Sequence, residues 1–145
     1  MLAIGSDHGG FRLKEAVKKY LDENHIEYKD FGTFSEESCD YPDIAALTCK
    51  EIVTGKYEKG LLFCGTGVGI SIAANKVKGI RAVVCSDYFS AKYARLHNDA
   101  NVLCLGGRVL GEGLALELVD VFLKTQFEGG RHAKRVAKIK ALEEL

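Results

Sequence analysis

Leu61-Leu62-Phe63-Cys64-Gly65-Thr66-Gly67-Val68-Gly69-Ile70-Ser71 is a short apolar run that ends in three alternating glycines and resumes as a helical pattern. Four consecutive apolar residues closed by glycine read as a strand buried on both faces, and Ile70, Ala73, Ala74 and Val77 continue at helical spacing. The turn between them, residues 65–69, is too rich in glycine to be filler. Glycine lets the backbone turn tightly and turn several N–H groups toward one ligand.

The same alternation spreads outward in both directions. Toward the N-terminus, Leu2-Ala3-Ile4-Gly5 reads as a first strand. Leu13, Ala16, Val17, Tyr20 and Leu21 then recur at helical spacing. Residues 27–31 form a short second strand, and Pro42-Asp43 opens a helix over 44–53. Toward the C-terminus come a strand over 80–85, a helix over 87–96, a strand over 101–105 and a helix over 112–124. Gly129-Gly130 breaks the chain before a last helix over 131–145. Strands alternating with helices and no long loop predict an α/β fold with a parallel sheet, in one domain covering 1–145. The expected sheet is doubly wound (Rossmann-like), five-stranded, in the order 2-1-3-4-5 with an extra C-terminal helix. Ligands then bind at the carboxyl ends of strands one and three, where the order reverses. The segments leaving those ends are Ser6-Asp7-His8-Gly9-Gly10 and the cysteine–glycine turn.

Bulk properties narrow the function. The chain has 145 residues, 47% of them hydrophobic, with 20 Lys and Arg against 20 Asp and Glu. Zero net charge disfavours a dedicated binder of nucleic acid or acidic membrane. No apolar run is long enough to span a bilayer, and the N-terminus lacks the pattern of a signal peptide, so a cytoplasmic protein is expected. Cys39, Cys49, Cys64, Cys85 and Cys104 are odd in number and scattered, unlike a disulfide framework. No Cys-x-x-Cys motif and no His pair at ligand spacing on one helix occur, so no metal site is expected.

Cys64 at the lip of an anion cradle suits proton abstraction next to a carbonyl, because the dipoles that hold an oxyanion also favour thiolate. Read structurally, the same residues are a buried strand-end cysteine and a turn. A dinucleotide-binding turn is a further reading, with Asp87 as the ribose-binding acid. Asp7 and His8 are either a proton-exchanging and phosphate-holding pair or a helix cap beside an exposed histidine. His97-Asn98 suits a helix C-terminus as well as a site. Arg131 and Arg135 stand one turn apart, as a solvated basic face or a phosphate clamp, with Arg108 as a third candidate. His132 is expected at the surface.

At these residues the chain resembles the type B ribose-5-phosphate isomerases, whose wider family includes allose-6-phosphate and galactose-6-phosphate isomerases. The likeness runs through Ser6-Asp7-His8-Gly9-Gly10, Asp40-Tyr41-Pro42, the segment from Cys64 to Lys76, Gly79-Ile80-Arg81-Ala82, the segment from His97 to Val102 and Gly129-Gly130-Arg131-His132. It implies an aldose–ketose isomerase acting on ribose 5-phosphate and ribulose 5-phosphate through a cis-enediolate, with a hexose phosphate as the alternative substrate. The resemblance implies Cys64 as base and a loop of Gly65, Thr66, Gly67, Val68 and Gly69 around the enediolate, with Thr66 near the reacting atoms. It implies ring opening by His97 with Asp7 nearby. His8, Arg108, Arg131 and Arg135 are implied contacts of the sugar phosphate, Asn98 of the substrate, and Tyr41 lies near the pocket. No metal and no organic cofactor are implied. His97 and Asn98 precede the fifth strand whereas Asp7 and Cys64 follow theirs, so parallel strands separate them by on the order of 17 Å. The expected answer is a homodimer with active sites shared between subunits, which the resemblance extends to tetramers in some members.

Overall fold

The computed structural model describes residues 1–145. Strands β1 (Leu2–Ser6), β2 (Tyr28–Asp30), β3 (Lys59–Cys64), β4 (Ala82–Val84) and β5 (Val102–Gly106) form one parallel sheet. Around it lie α1 (Phe11–Glu23), α2 (Tyr41–Val53), α3 (Val68–Ala74), α4 (Tyr88–Leu96), α5 (Glu112–Lys124) and α6 (Arg131–Ala141). A single 3-10 turn, Leu142–Glu144, replaces the last part of the expected final helix. No helix is long and apolar enough to cross a membrane.

The α/β class is as the alternation predicts, but the strand order is β2-β1-β3-β5-β4 rather than 2-1-3-4-5. Burial explains the exchange. All of β5 is buried, as a strand covered on both faces must be, whereas β4 has only three residues and Val84 is 42% exposed. Such a strand belongs at an edge. Right-handed crossovers then dictate the layers. The steps β1 to β2 and β4 to β5 run one way across the sheet, and β2 to β3 and β3 to β4 run the other. Accordingly α1, α4 and α5 cover one face, and α2 and α3 the other. Side chains of β3 alternate between two cores: Leu61 and Phe63 join the α1/α4/α5 side, Leu62 and Cys64 the α2/α3 side.

This order matters for the site. β3 lies between β1 and β5, and the helices that follow both neighbours lie on the face opposite α3. The loops after β1 and β5 therefore open a crevice on each side of the loop that carries Cys64.

One buried charge anchors the rim of that crevice. Lys14, on the core face of α1 with Leu13, Val17 and Leu21, is fully buried; its Nζ donates to Asp30 Oδ1 at 2.8 Å and to the Thr33 carbonyl. The strand's continuation is tied in turn to β1, through Ser6 N–H to the Gly32 carbonyl and Thr33 N–H to the Ser6 carbonyl. Asp30→Asn leaves the Lys14 ammonium without its buried counter-charge. It is expected to lower stability by about 3 kcal/mol in a urea titration, since breaking one side of a buried pair exposes the full desolvation cost of the other.

Candidate active site

The carboxyl edge of the sheet gathers the first group of residues. Cys64 ends β3 and is only 4% exposed, and the backbone N–H of Gly67 donates to its Sγ at 3.1 Å. Gly67 has φ +80°, a left-handed conformation that turns the chain back over the sulfur, and only glycine takes it without strain. A side chain there would also strike the backbone of β5, 2.9 Å from the Leu105 carbonyl carbon. Thr66 is exposed at the apex, and its Oγ1 accepts from Val68 N–H at 3.2 Å. The first N–H groups of α3 follow without intrahelical acceptors, as at every helix start. Of the other cysteines, burial pushes the Cys49 thiol up to about 12 and, helped by Asp87, the Cys85 thiol up to about 11. It lifts the Cys104 thiol well above its ordinary value too, so these three stay protonated.

Side chains from three loops converge on this turn. Asp7 is 6% exposed, sits beside β3 through its N–H to the Phe63 carbonyl, and caps the 3-10 turn His8–Gly10 by accepting from Gly10 N–H at 3.1 Å. His8 Nδ1 accepts from Cys39 N–H at 3.2 Å, which leaves Nε2 to carry the ring's proton outward. His8 and Arg108 line one pocket of about 300 Å³ with Gly9, Arg12, Leu13, Glu36 and Gly107. Arg108 follows β5, and its N–H donates to the Gly65 carbonyl at 2.9 Å. Its guanidinium lies over Gly65, where a Cβ would come within 3.2 Å of Nη1. Tyr41, the first residue of α2, lies against Gly69 in the same way, its ring carbon Cζ 2.7 Å from where a Cβ would stand.

The amino edge gathers the second group. His97 caps the C-terminus of α4, with Asn98 exposed beside it. Arg131 and Arg135 lie on the exposed face of α6. The helix is held to the end of α4 by an imidazole stack, His97 on His132, with ring centroids 3.9 Å apart and planes 12° from parallel. Glu128 N–H donates to the Leu96 carbonyl, and the Glu128 carboxylate lies 3.6 Å from His97 Nε2, an ion pair when the ring is protonated and too long for a hydrogen bond. His132 is buried at 6% exposure, contrary to the surface position expected for it. Burial and the neighbouring His97 lower its pKa, aided by Arg131 and Arg135 and opposed by Glu128.

The two groups do not meet within one chain. The register pairs Gly60 with Val102 at one edge and Cys64 with Gly106 at the other, so β5 alone separates the edges by roughly 13 Å at about 3.3 Å per residue. The dinucleotide reading fails on Asp87, which is spent as the N-cap of α4, accepting from Ser90 N–H at 2.8 Å.

Residues 2–139 match a family model described as Ribose/Galactose Isomerase. The chain belongs to that family. Among related isomerases, the ribose-5-phosphate isomerase B of Escherichia coli K12 is 51% identical over 143 residues, covering 99% of this chain and 96% of that one. The solved structure of Clostridium thermocellum ribose-5-phosphate isomerase B superposes with a TM-score of 0.97 at 51% identity, over 99% of this chain and 97% of the other. That of the Mycoplasma genitalium enzyme with bound ribulose-5-phosphate gives 0.93 at 40% identity, over 99% and 95%. Within this isomerase, sequence reasoning passed over Arg12 and Glu36, which pair at 2.5 Å on the wall of the His8–Arg108 pocket, and over Glu128 beside His97. No local motif marks them; each is brought in by a contact between distant segments.

Proposed function

We propose that this isomerase interconverts ribose 5-phosphate and ribulose 5-phosphate in a site completed by a second copy of the chain. The observation that carries the reading is the Gly67 N–H on Cys64 Sγ, within a glycine turn that opens beside the His8–Arg108 pocket. An N–H aimed at sulfur suits a thiolate, and a thiolate next to free backbone donors can move a proton between adjacent carbons. The phosphate is held by His8 and Arg108 together with Arg131 and Arg135 of the partner subunit. His97 of the partner subunit opens the furanose ring, with Asp7 and the partner's Asn98 positioned on the sugar hydroxyls. Cys64 takes the proton from C2, a proton passes from O2 to O1 of the enediolate while the turn of residues 65–69 holds its oxygens through N–H groups other than those of Gly67 and Val68, and Cys64 returns its proton at C1. Thr66 and Tyr41 close the walls around the reacting carbons. Base, acid and oxyanion donors are all supplied by the chain, so the reaction calls on no metal and no organic cofactor.

An uncovered edge of the chain offers a seat for the second copy. Val84 on β4 and Phe89 on α4 are 42% and 67% exposed, and they line one apolar depression with Val83, Tyr93 and Asn98. Val68 and Ile72 of α3 are also about half exposed. The strip runs from the catalytic turn, where Val84 abuts Gly67, to Asn98 at the opposite edge. A two-fold axis across it reverses the partner, so each carboxyl edge faces the other copy's amino edge. We place this unit, residues 1–145 acting as one domain, in the cytoplasm as a dimer or a pair of dimers.

The substrate test is isomerisation of ribose 5-phosphate with allose 6-phosphate run alongside. Turnover of the pentose phosphate at least about tenfold faster than the hexose phosphate is the expected result; a difference of that size corresponds to about 1.4 kcal/mol of transition-state binding. Turnover of the hexose phosphate alone keeps the chemistry and replaces the substrate.

A further inference from the structure

We infer that His97, Glu128 and His132 form a binding site for a divalent cation of the zinc class, and that a cation held there withdraws His97 from ring opening. Spacing along the chain hides this cluster, because its members come from the end of α4, the segment before α6 and the first turn of α6. In space one ligand atom from each lies within 4.8 Å of the others. A second observation singles out His132. Its side chain is buried, and its Nε2 has neither solvent nor a hydrogen-bond partner. A buried imidazole nitrogen left unpaired is costly, and a metal ion is one of the few partners small enough to reach it.

The donor set selects the ion. Two imidazoles and one carboxylate suit zinc, copper or nickel and offer little to magnesium or calcium, which favour all-oxygen sites. Three protein ligands with an open fourth position match the zinc sites that exchange water. Metal–ligand bonds of about 2 Å place tetrahedral donors about 3.3 Å apart, so the cluster must contract by about 1.5 Å. The more exposed members have room for that movement: side-chain exposure is 36% at His97 and 56% at Glu128. Stacked rings cannot both aim at one ion, so His97 turns out of the stack while the buried His132 stays. Arg131 and Arg135 on the same helix oppose a cation and keep the affinity below that of a structural zinc site. Binding rests on these side chains alone, whereas inhibition rests on the ring-opening role given to His97.

The experiment is calorimetric titration of zinc chloride into metal-free wild type, Glu128→Gln, His132→Gln and Cys64→Ala, paired with ribose 5-phosphate turnover at each zinc concentration. The expected result is one zinc per chain in wild type and in Cys64→Ala, with affinity at least about tenfold weaker in both other variants. Magnesium chloride gives no binding heat. Wild-type turnover falls as the site fills and returns on adding EDTA. Glu128→Gln guards against misfolding, since Glu128 is exposed whereas His132 is buried. Equal affinity in all four proteins, or a loss confined to Cys64→Ala, overturns the site; the second result assigns zinc to the thiolate. Zinc that binds with the expected pattern but leaves turnover unchanged upholds the site and overturns the role of His97.

Discussion

Cys64→Ala will slow isomerisation of ribose 5-phosphate by roughly 10²- to 10⁴-fold, the range lost when a positioned proton-transfer group is removed. The fall will lie in kcat, with KM nearly unchanged. The reason is the division of labour in the site. The phosphate contacts at His8 and Arg108 lie in a pocket that Cys64 does not line, so ground-state binding survives the substitution. The fold survives as well. The substitution removes only the sulfur from a buried position and leaves one backbone N–H, that of Gly67, without its acceptor, at a cost of about 1 kcal/mol. A melting curve shifted by only a few degrees, together with calorimetric binding of ribulose 5-phosphate close to wild type, separates loss of the base from loss of the fold. Cys49→Ala and Cys104→Ala are the contrast: both residues are buried in the α2/α3 core, and their variants should melt earlier without losing the chemistry. Wild-type turnover in Cys64→Ala would sink the mechanism.

The strands and the catalytic turn are legible in the sequence because they are local. Four apolar residues, a glycine that must take positive φ and a helical repeat need no knowledge of the rest of the chain. Strand polarity is equally local in a parallel sheet, which is why the separation of Cys64 from His97 is legible in the sequence. The order of β4 and β5 is a different matter. Both are short apolar runs that contain valine, and only the exposure of Val84 tells the edge strand from the interior one. That exchange has a consequence for chemistry, since it seats the β5 loop beside Cys64 and so brings Arg108 over Gly65. With β4 between them, Arg108 would have stood a strand further from the base. His132 was hidden for a related reason. A histidine in a basic helix looks like surface, and its burial depends on a partner ring that lies 35 positions earlier in the chain and meets it only after α6 folds back on α4.

The separation of the two half-sites makes a prediction that one chain acting alone cannot satisfy. Cys64→Ala lacks the base, and His97→Asn lacks the group that opens the furanose ring, so each variant by itself should be nearly inactive on ribose 5-phosphate. If each site takes Cys64 from one copy and His97 from the other, a dimer of one variant with the other contains one site with both residues intact and one with neither. Random pairing of equal amounts makes about half the dimers mixed, and half the sites in those are whole, so activity should recover to about a quarter of wild type. The measurement is turnover after the two variants are unfolded, mixed and refolded together, with differently tagged copies to establish that mixed dimers have formed. Recovery from near zero to that level requires a shared site. Mixed dimers that remain as inactive as their parents require Cys64 and His97 to work within one chain, and that would demand a movement of the β5 edges that a buried strand paired on both sides does not permit.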